Sequence, residues 1–156
     1  MITLEGSCHC GKVKFSVKSH TPEPYMRCYC SICRKTQGGG GYAINVMGEA
    51  KTLKLKGEKH LLVYRVRFGK TLSSAHRHFC KHCGSALFVR DPQWPQWIYP
   101  FASAIDKGLP KASETAHIML DSKASWVPVE DGGKRFKEYP DQSIEDWHKS
   151  RKRWRA

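Results

Sequence analysis

All seven cysteines of this 156-residue chain fall into three tight clusters: Cys8 and Cys10 as CxC, Cys28, Cys30 and Cys33 as CxCxxC, and Cys80 and Cys83 as CxxC. Such spacings let neighbouring sulfurs converge on one cation, so a fold that satisfies them is bound by that convergence. An odd count cannot close into a complete disulfide set, and a reducing compartment disfavours one in any case. Zinc suits these residues because it is borderline soft, redox-inert and content with tetrahedral sulfur ligation. Seven divides as four plus three: a structural site is closed by four protein ligands, whereas a catalytic site commonly has three and an open position.

Spacing alone permits several partitions. Joining the first and last clusters would tie the N-terminal strand to the strand after Phe79 and staple a small β core. The middle cluster would then stand alone, its three thiolates capping one face of a metal and leaving the other free for a thiol, hydroxide or carbonyl oxygen. The competing readings are buried free thiols, a second structural zinc completed by a histidine, and a redox-active dithiol in the middle cluster. His9, His76, His78 and His82 are the histidines at hand, and none is assigned as a ligand.

One domain is expected at this length, since roughly 100 to 200 residues make one core, and 40% hydrophobic residues supply enough apolar material for it. Alternation of period two points to a mainly antiparallel β protein. Val13, Phe15 and Val17 alternate with Lys12, Lys14 and Ser16, and Leu53 and Leu55 with Thr52, Lys54 and Lys56. The run from His60 to Phe68 places Leu62, Tyr64, Val66 and Phe68 on one face, expected to be buried, and Arg65 and Arg67 on the other. Ala86 to Val89 is a further short strand. Two short helices are expected, one starting near Ser31 and one from about Ser143 to Arg153, where Ser143 and Asp146 suit a cap. The glycines from Gly38 to Gly41 read as a turn, with close backbone approach to a ligand as the alternative. Trp94, Trp97, Tyr99 and Phe101 read first as core or contact residues and second as a pocket wall.

No window approaches the roughly 18 apolar residues of a membrane span, and the first residues, MITLEGSCHCG, hold no apolar signal core; a cytoplasmic protein with no membrane partner is expected. The net charge of +13 raises nucleic acid, anionic lipid and small anionic substrates as partners.

Three segments carry a family resemblance: GSCHCGKVKF at 6 to 15, CYCSICRKTQG at 28 to 38 and FCKHCGSALF at 79 to 88. They resemble the glutathione-dependent formaldehyde-activating enzyme family, which also includes centromere protein V. His117, Ile118, Lys123, Trp126 and Val127 look like that family's late signature, so the resemblance covers about residues 3 to 140, with 141 to 156 left as a basic C-terminal helix or tail. It implies an Mss4-like fold, mainly β, of antiparallel sheets stapled by zinc with short helices. It also implies two zinc ions per chain: a structural one on Cys8, Cys10, Cys80 and Cys83, and an open one on Cys28, Cys30 and Cys33.

The activity implied is that of a carbon-sulfur lyase, the condensation of formaldehyde with glutathione to S-(hydroxymethyl)glutathione, or the same chemistry on a related thiol adduct of a small aldehyde. Three thiolates donate strongly to zinc and soften its Lewis acidity, so Cys28, Cys30 and Cys33 would act catalytically by keeping a substrate thiol deprotonated. Glutathione carries two carboxylates, and Arg34 and Lys35, directly after the third ligand, are candidates to bind them; the alternative is a solvated helix face. The rival class is a nucleic-acid or chromatin-binding zinc module, because the last ten residues, WHKSRKRWRA, contain five Lys or Arg and no acid. In that reading Trp147 and Trp154 stack on bases; a solvated terminal helix is preferred. Redox chemistry like that of methionine sulfoxide reductases, which share the implied fold, would need a nucleophilic cysteine outside the structural ligands.

Overall fold

A computed structural model describes residues 1 to 154. In chain order the elements are β1 (Ile2–Ser7), β2 (Lys14–Ser19), β3 (Tyr25–Cys28), α1 (Ser31–Gln37), β4 (Ala43–Asn45), β5 (Gly48–Glu49), β6 (Lys54–Lys56), β7 (Leu61–Tyr64), β8 (Arg67–Phe68), β9 (Thr71–Leu72), β10 (His76–Cys80), β11 (Ala86–Arg90), β12 (Trp97–Pro100), β13 (Ile105–Lys107), β14 (Thr115–Ile118), β15 (Lys134–Arg135) and α2 (Ile144–Ser150). The protein is mainly β, with two short α-helices, as the alternating pattern predicts.

Three sheets carry the structure, in the orders β13-β1-β2-β6, β5-β12-β11-β10-β7 and β15-β14-β3-β4, and β8 and β9 form a separate ribbon. The first two are antiparallel throughout; the third is mixed, since β14 runs parallel to both β3 and β15. Alternation does its expected work in β2, where Phe15, Val17 and Ser19 are buried while Lys14 and Lys18 face solvent. Those side chains meet the second sheet in one core with Leu4, Val13, Val46, Leu87, Phe88 and Ile98, and Phe15 and Phe88 pack edge to face at 5.7 Å between ring centroids. A second, smaller core lies on the third sheet, where Ala43, Ala116 and Ile118 surround Cys28 and Cys33.

The His60 to Phe68 run does not become one strand with a buried face. It breaks after Tyr64, and Leu62, Val63, Tyr64 and Phe68 are 56%, 47%, 46% and 60% exposed. β7 is the last strand of its sheet, hydrogen-bonded to β10 alone; only Leu61 at its start packs on the main core, and the chain then leaves it for the separate ribbon. Periodicity reports which residues share a face but not whether anything packs on it.

α2 is capped as its sequence predicts, the Ser143 hydroxyl oxygen accepting from the Asp146 amide at 3.0 Å, and ends earlier than Arg153. The segment lies against the body: Trp147 is 6% exposed and its indole N–H donates to Glu114, while the buried His148 bonds the Glu23 carbonyl. Trp154 stacks on His20, with 4.6 Å between ring centroids.

Candidate metal centre

The first and last cysteine clusters converge. Cys8 and Cys10 sit where the chain leaves β1, in a turn closed by the Gly11 amide donating to the Cys8 carbonyl at 2.9 Å. Cys80 ends β10, and the Gly84 amide closes the matching turn on its carbonyl at 2.8 Å. The Cys8 and Cys10 sulfurs are 3.6 Å apart, those of Cys10 and Cys80 3.7 Å, and all four including Cys83 lie within 4.8 Å of one another. Four sulfurs tetrahedrally placed about 2.3 Å from a zinc ion would be about 3.8 Å apart, so this donor set fits a four-sulfur metal site. Backbone amides support it: Val13 N–H donates to the Cys8 sulfur at 3.2 Å. The Cys83 thiol, beside the Ser85 hydroxyl at 3.2 Å, is drawn down to about 5, that hydrogen bond being the main cause.

The middle cluster is built differently. Cys28 ends β3, Tyr29 turns inward, and Cys30 caps α1, its sulfur accepting from the Cys33 amide at 3.3 Å. The three sulfurs again lie within 4.8 Å of one another, with Cys28 and Cys33 buried and Cys30 partly exposed. Three thiols this close cannot ionise independently. Hydrogen bonds from Cys28 and then Cys33 bring the Cys30 thiol down to about 2, while Cys28 is pushed far up by its hydrogen bond to Cys30. One ready thiolate flanked by two thiols is a donor set that a divalent cation completes by displacing the remaining protons. Among the described residues both candidate metal groups consist of cysteines alone. None of the four histidines named from sequence joins these groups: His78 stacks on Phe88 with its Nδ1 beside the His76 carbonyl, His82 pairs with His60, and His9 offers its backbone amide to Ser85.

Two further residues face the middle cluster, neither of them marked by a sequence motif. Asn45 Nδ2 is 4.0 Å from the Cys33 sulfur, and both terminal nitrogens of Arg77 are 3.9 Å from it. Asn45 comes from β4, which pairs with β3, and Arg77 from β10 of a different sheet, so only the tertiary fold brings both here. Arg34 is half-buried and Lys35 exposed on α1; no hydrogen bond or ion pair of either with the sulfurs is present among the described residues. Most of the late signature packs into the fold: His117 is buried against Tyr29, and the Lys123 ammonium donates to the carbonyls of Ala124 and Val127, while Trp126 is exposed. Of the aromatic run, Phe101 is fully buried and Trp94 is 54% exposed.

The model of the glutathione-dependent formaldehyde-activating enzyme family matches residues 3–122, a span that contains all seven cysteines. The chain belongs to that family. It is 53% identical over 147 residues to a Halomonas elongata protein provisionally named as a glutathione-dependent formaldehyde-activating enzyme, an alignment covering 93% of this chain and 94% of the relative. Among solved structures, a Rhodobacter sphaeroides protein from a structural-genomics programme is similar, with a TM-score of 0.54, 27% identity and 68% of this chain and 91% of that chain covered. Family membership thus joins two cysteine clusters that can each hold a metal ion to a family named for glutathione and formaldehyde. No described helix is long and apolar enough to cross a membrane.

Proposed function

We propose that the protein is a cytoplasmic, zinc-dependent enzyme of the carbon-sulfur lyase type. It interconverts a small aldehyde and a thiol with their hydroxymethyl-type adduct, with glutathione and formaldehyde as the first pair to try. The observation that carries this reading is the contrast between the clusters: four sulfurs close one site, while the other offers three, with no fourth His, Cys, Asp or Glu ligand among the described residues. Zinc in the three-sulfur site would lower the pKa of a thiol brought to it.

This chain's own residues do the rest. Cys28, Cys30 and Cys33 hold the site, and β3 and α1 fix their spacing. Asn45 and Arg77 face its sulfur side with donors, so negative charge gathered there is met by fixed dipoles and a cation. Arg34 and Lys35, next in sequence to Cys33, are assigned to the carboxylates of glutathione. The reaction needs little more than positioning, because a thiolate adds to an unhindered aldehyde readily in water.

The nucleic-acid reading gains no support from the placement of the tail, because Trp147 is buried and Trp154 is stacked on His20. The test is direct. Metal analysis of the purified full chain should find two zinc ions, and exchange spectroscopy on glutathione, formaldehyde and their adduct should show exchange accelerated in proportion to enzyme and lost in Cys30→Ala. Exchange no faster than in buffer, with both metals present, would end the proposal.

A further inference from the structure

Arg77 is the most unusual side chain near the middle cluster. It lies in β10, and strand register puts Tyr64 of β7 and Val89 of β11 directly beside it on the same face, with Tyr99 of β12 next in the row. From that row its two terminal nitrogens reach to 3.9 Å from the Cys33 sulfur. Its Nε is buried and has no hydrogen-bond partner, and among the described residues no carboxylate forms an ion pair with it. A guanidinium offers five donors, and buried donors are almost always satisfied. This one is held against sulfur with donor capacity unused. A divalent ion with three thiolates carries a formal charge of minus one, which would repel a further anion; Arg77 cancels that charge and leaves the open face able to admit one.

We propose that Arg77 forms an anion subsite beside the open face of the Cys28–Cys30–Cys33 cluster, and that it receives the oxygen borne on the carbon bonded to the substrate's sulfur. The inference rests on the reading of this cluster as the place where the thiol binds. Proximity selects that oxygen over the carboxylates of glutathione, since it lies two bonds from the sulfur and the carboxylates lie many bonds away. In the forward direction the thiolate lone pair forms the carbon–sulfur bond and the carbonyl π pair moves onto oxygen. Arg77 donates hydrogen bonds to the resulting alkoxide, and a water molecule gives it a proton, leaving hydroxide to the solvent. The reverse reaction returns each of these.

The test needs no turnover. Calorimetric titration of the metal-loaded full chain would compare mercaptoacetate with ethanethiol, two thiols of similar size of which only the first carries an oxygen anion close to its sulfur. Mercaptoacetate is expected to bind about tenfold tighter or more, a preference lost in Arg77→Gln and partly kept in Arg77→Lys, because hydrogen bonds to a charged group are the stronger kind. Equal affinity for the two thiols in the unaltered protein, or a preference that survives in Arg77→Gln, overturns the proposal; the first comparison stands even where a variant does not fold. If mercaptoacetate is preferred while glutathione does not bind, the Arg77 subsite stands and the glutathione reading falls.

Discussion

The hydroxyl of Tyr29 lies 2.8 Å from Nδ1 of His117 in a fully buried contact, and the opposite ring nitrogen of His117 lies 3.1 Å from the Gly132 carbonyl. These partners assign the tautomer: Nε2–H donates to Gly132, and Nδ1 accepts from the phenol. Tyr29 is the residue between Cys28 and Cys30, so its anchorage sets the direction in which the two flanking sulfurs point. Its backbone amide is tied as well, to the Ile118 carbonyl at 3.0 Å. Tyr29→Phe leaves a buried acceptor unsatisfied and should cost about 1–3 kcal/mol in urea unfolding. Chelator competition should show the middle cluster surrendering its metal sooner, with the four-cysteine cluster unchanged; equal retention by both clusters would separate Tyr29 from the metal site.

Burial also sets a pH dependence. Desolvation holds both His117 and His78 below the ordinary value of 6.5. As pH falls through 6.5 the unfolded chain takes up protons that the folded protein resists, so their contribution is complete above that pH and declines below it. Glu23 acts in a lower window: burial raises its pKa, but hydrogen bonds from the Ser113 hydroxyl and amide leave it below 4.5, so its stabilisation is lost only under more acid conditions. Urea midpoints between pH 8 and 5.5 should fall for the unaltered protein and less steeply for His117→Gln. Metal analysis at each pH restricts the comparison to points where the two proteins hold the same metal content, and parallel curves over those points would exclude His117 as a source of the slope.

The two cysteine clusters should differ in what their loss does to the fold. Cys8 and Cys80 belong to the main core between the first two sheets, whereas Cys28 and Cys33 belong to the smaller one. Cys10→Ser should therefore lower the melting temperature on the order of 10 °C, because it releases metal that joins distant segments. Cys30→Ser, at a partly exposed position, should lower it by less than half as much while also removing one metal ion. Scanning calorimetry with metal analysis on each variant checks both halves, and the reverse order would mean that the middle cluster is the main staple.

Much of this arrangement is legible in the sequence because the cysteine spacings and the alternation in β2 are local patterns with one dominant physical meaning. The helix start at Ser31 and the Ser143 cap are legible for the same reason. Arg77 and Asn45 are not, since each is an ordinary residue until pairing with β3 places β4, and the approach of another sheet places β10, at the cluster. The exposure of Leu62, Val63 and Tyr64 is hidden for a related cause: a sheet's edge is a property of topology, and the local pattern reads identically for an edge strand and a covered one. The four glycines are ambiguous because a turn, a ligand approach and a packing contact all favour the same residue.

The structure separates those glycines. Gly41 has a φ of 90°, and a Cβ there would meet Cγ2 of Val127 at 2.2 Å, whereas a Cβ on Gly39 would meet nothing within 4 Å. Val127 is 2% exposed and part of the late signature, so the close approach that Gly41 permits is made by a buried side chain of the same chain. Gly41→Ala forces a left-handed backbone on a residue with a Cβ and displaces Val127, and should destabilise by about 2–4 kcal/mol. Gly39→Ala should change stability by less than about 1 kcal/mol, and in the stabilising direction if the unfolded chain loses more freedom than the turn does. Chemical denaturation of the pair checks this without reference to any ligand. Equal losses in both would indicate that the turn constrains Gly39 as tightly as Val127 constrains Gly41.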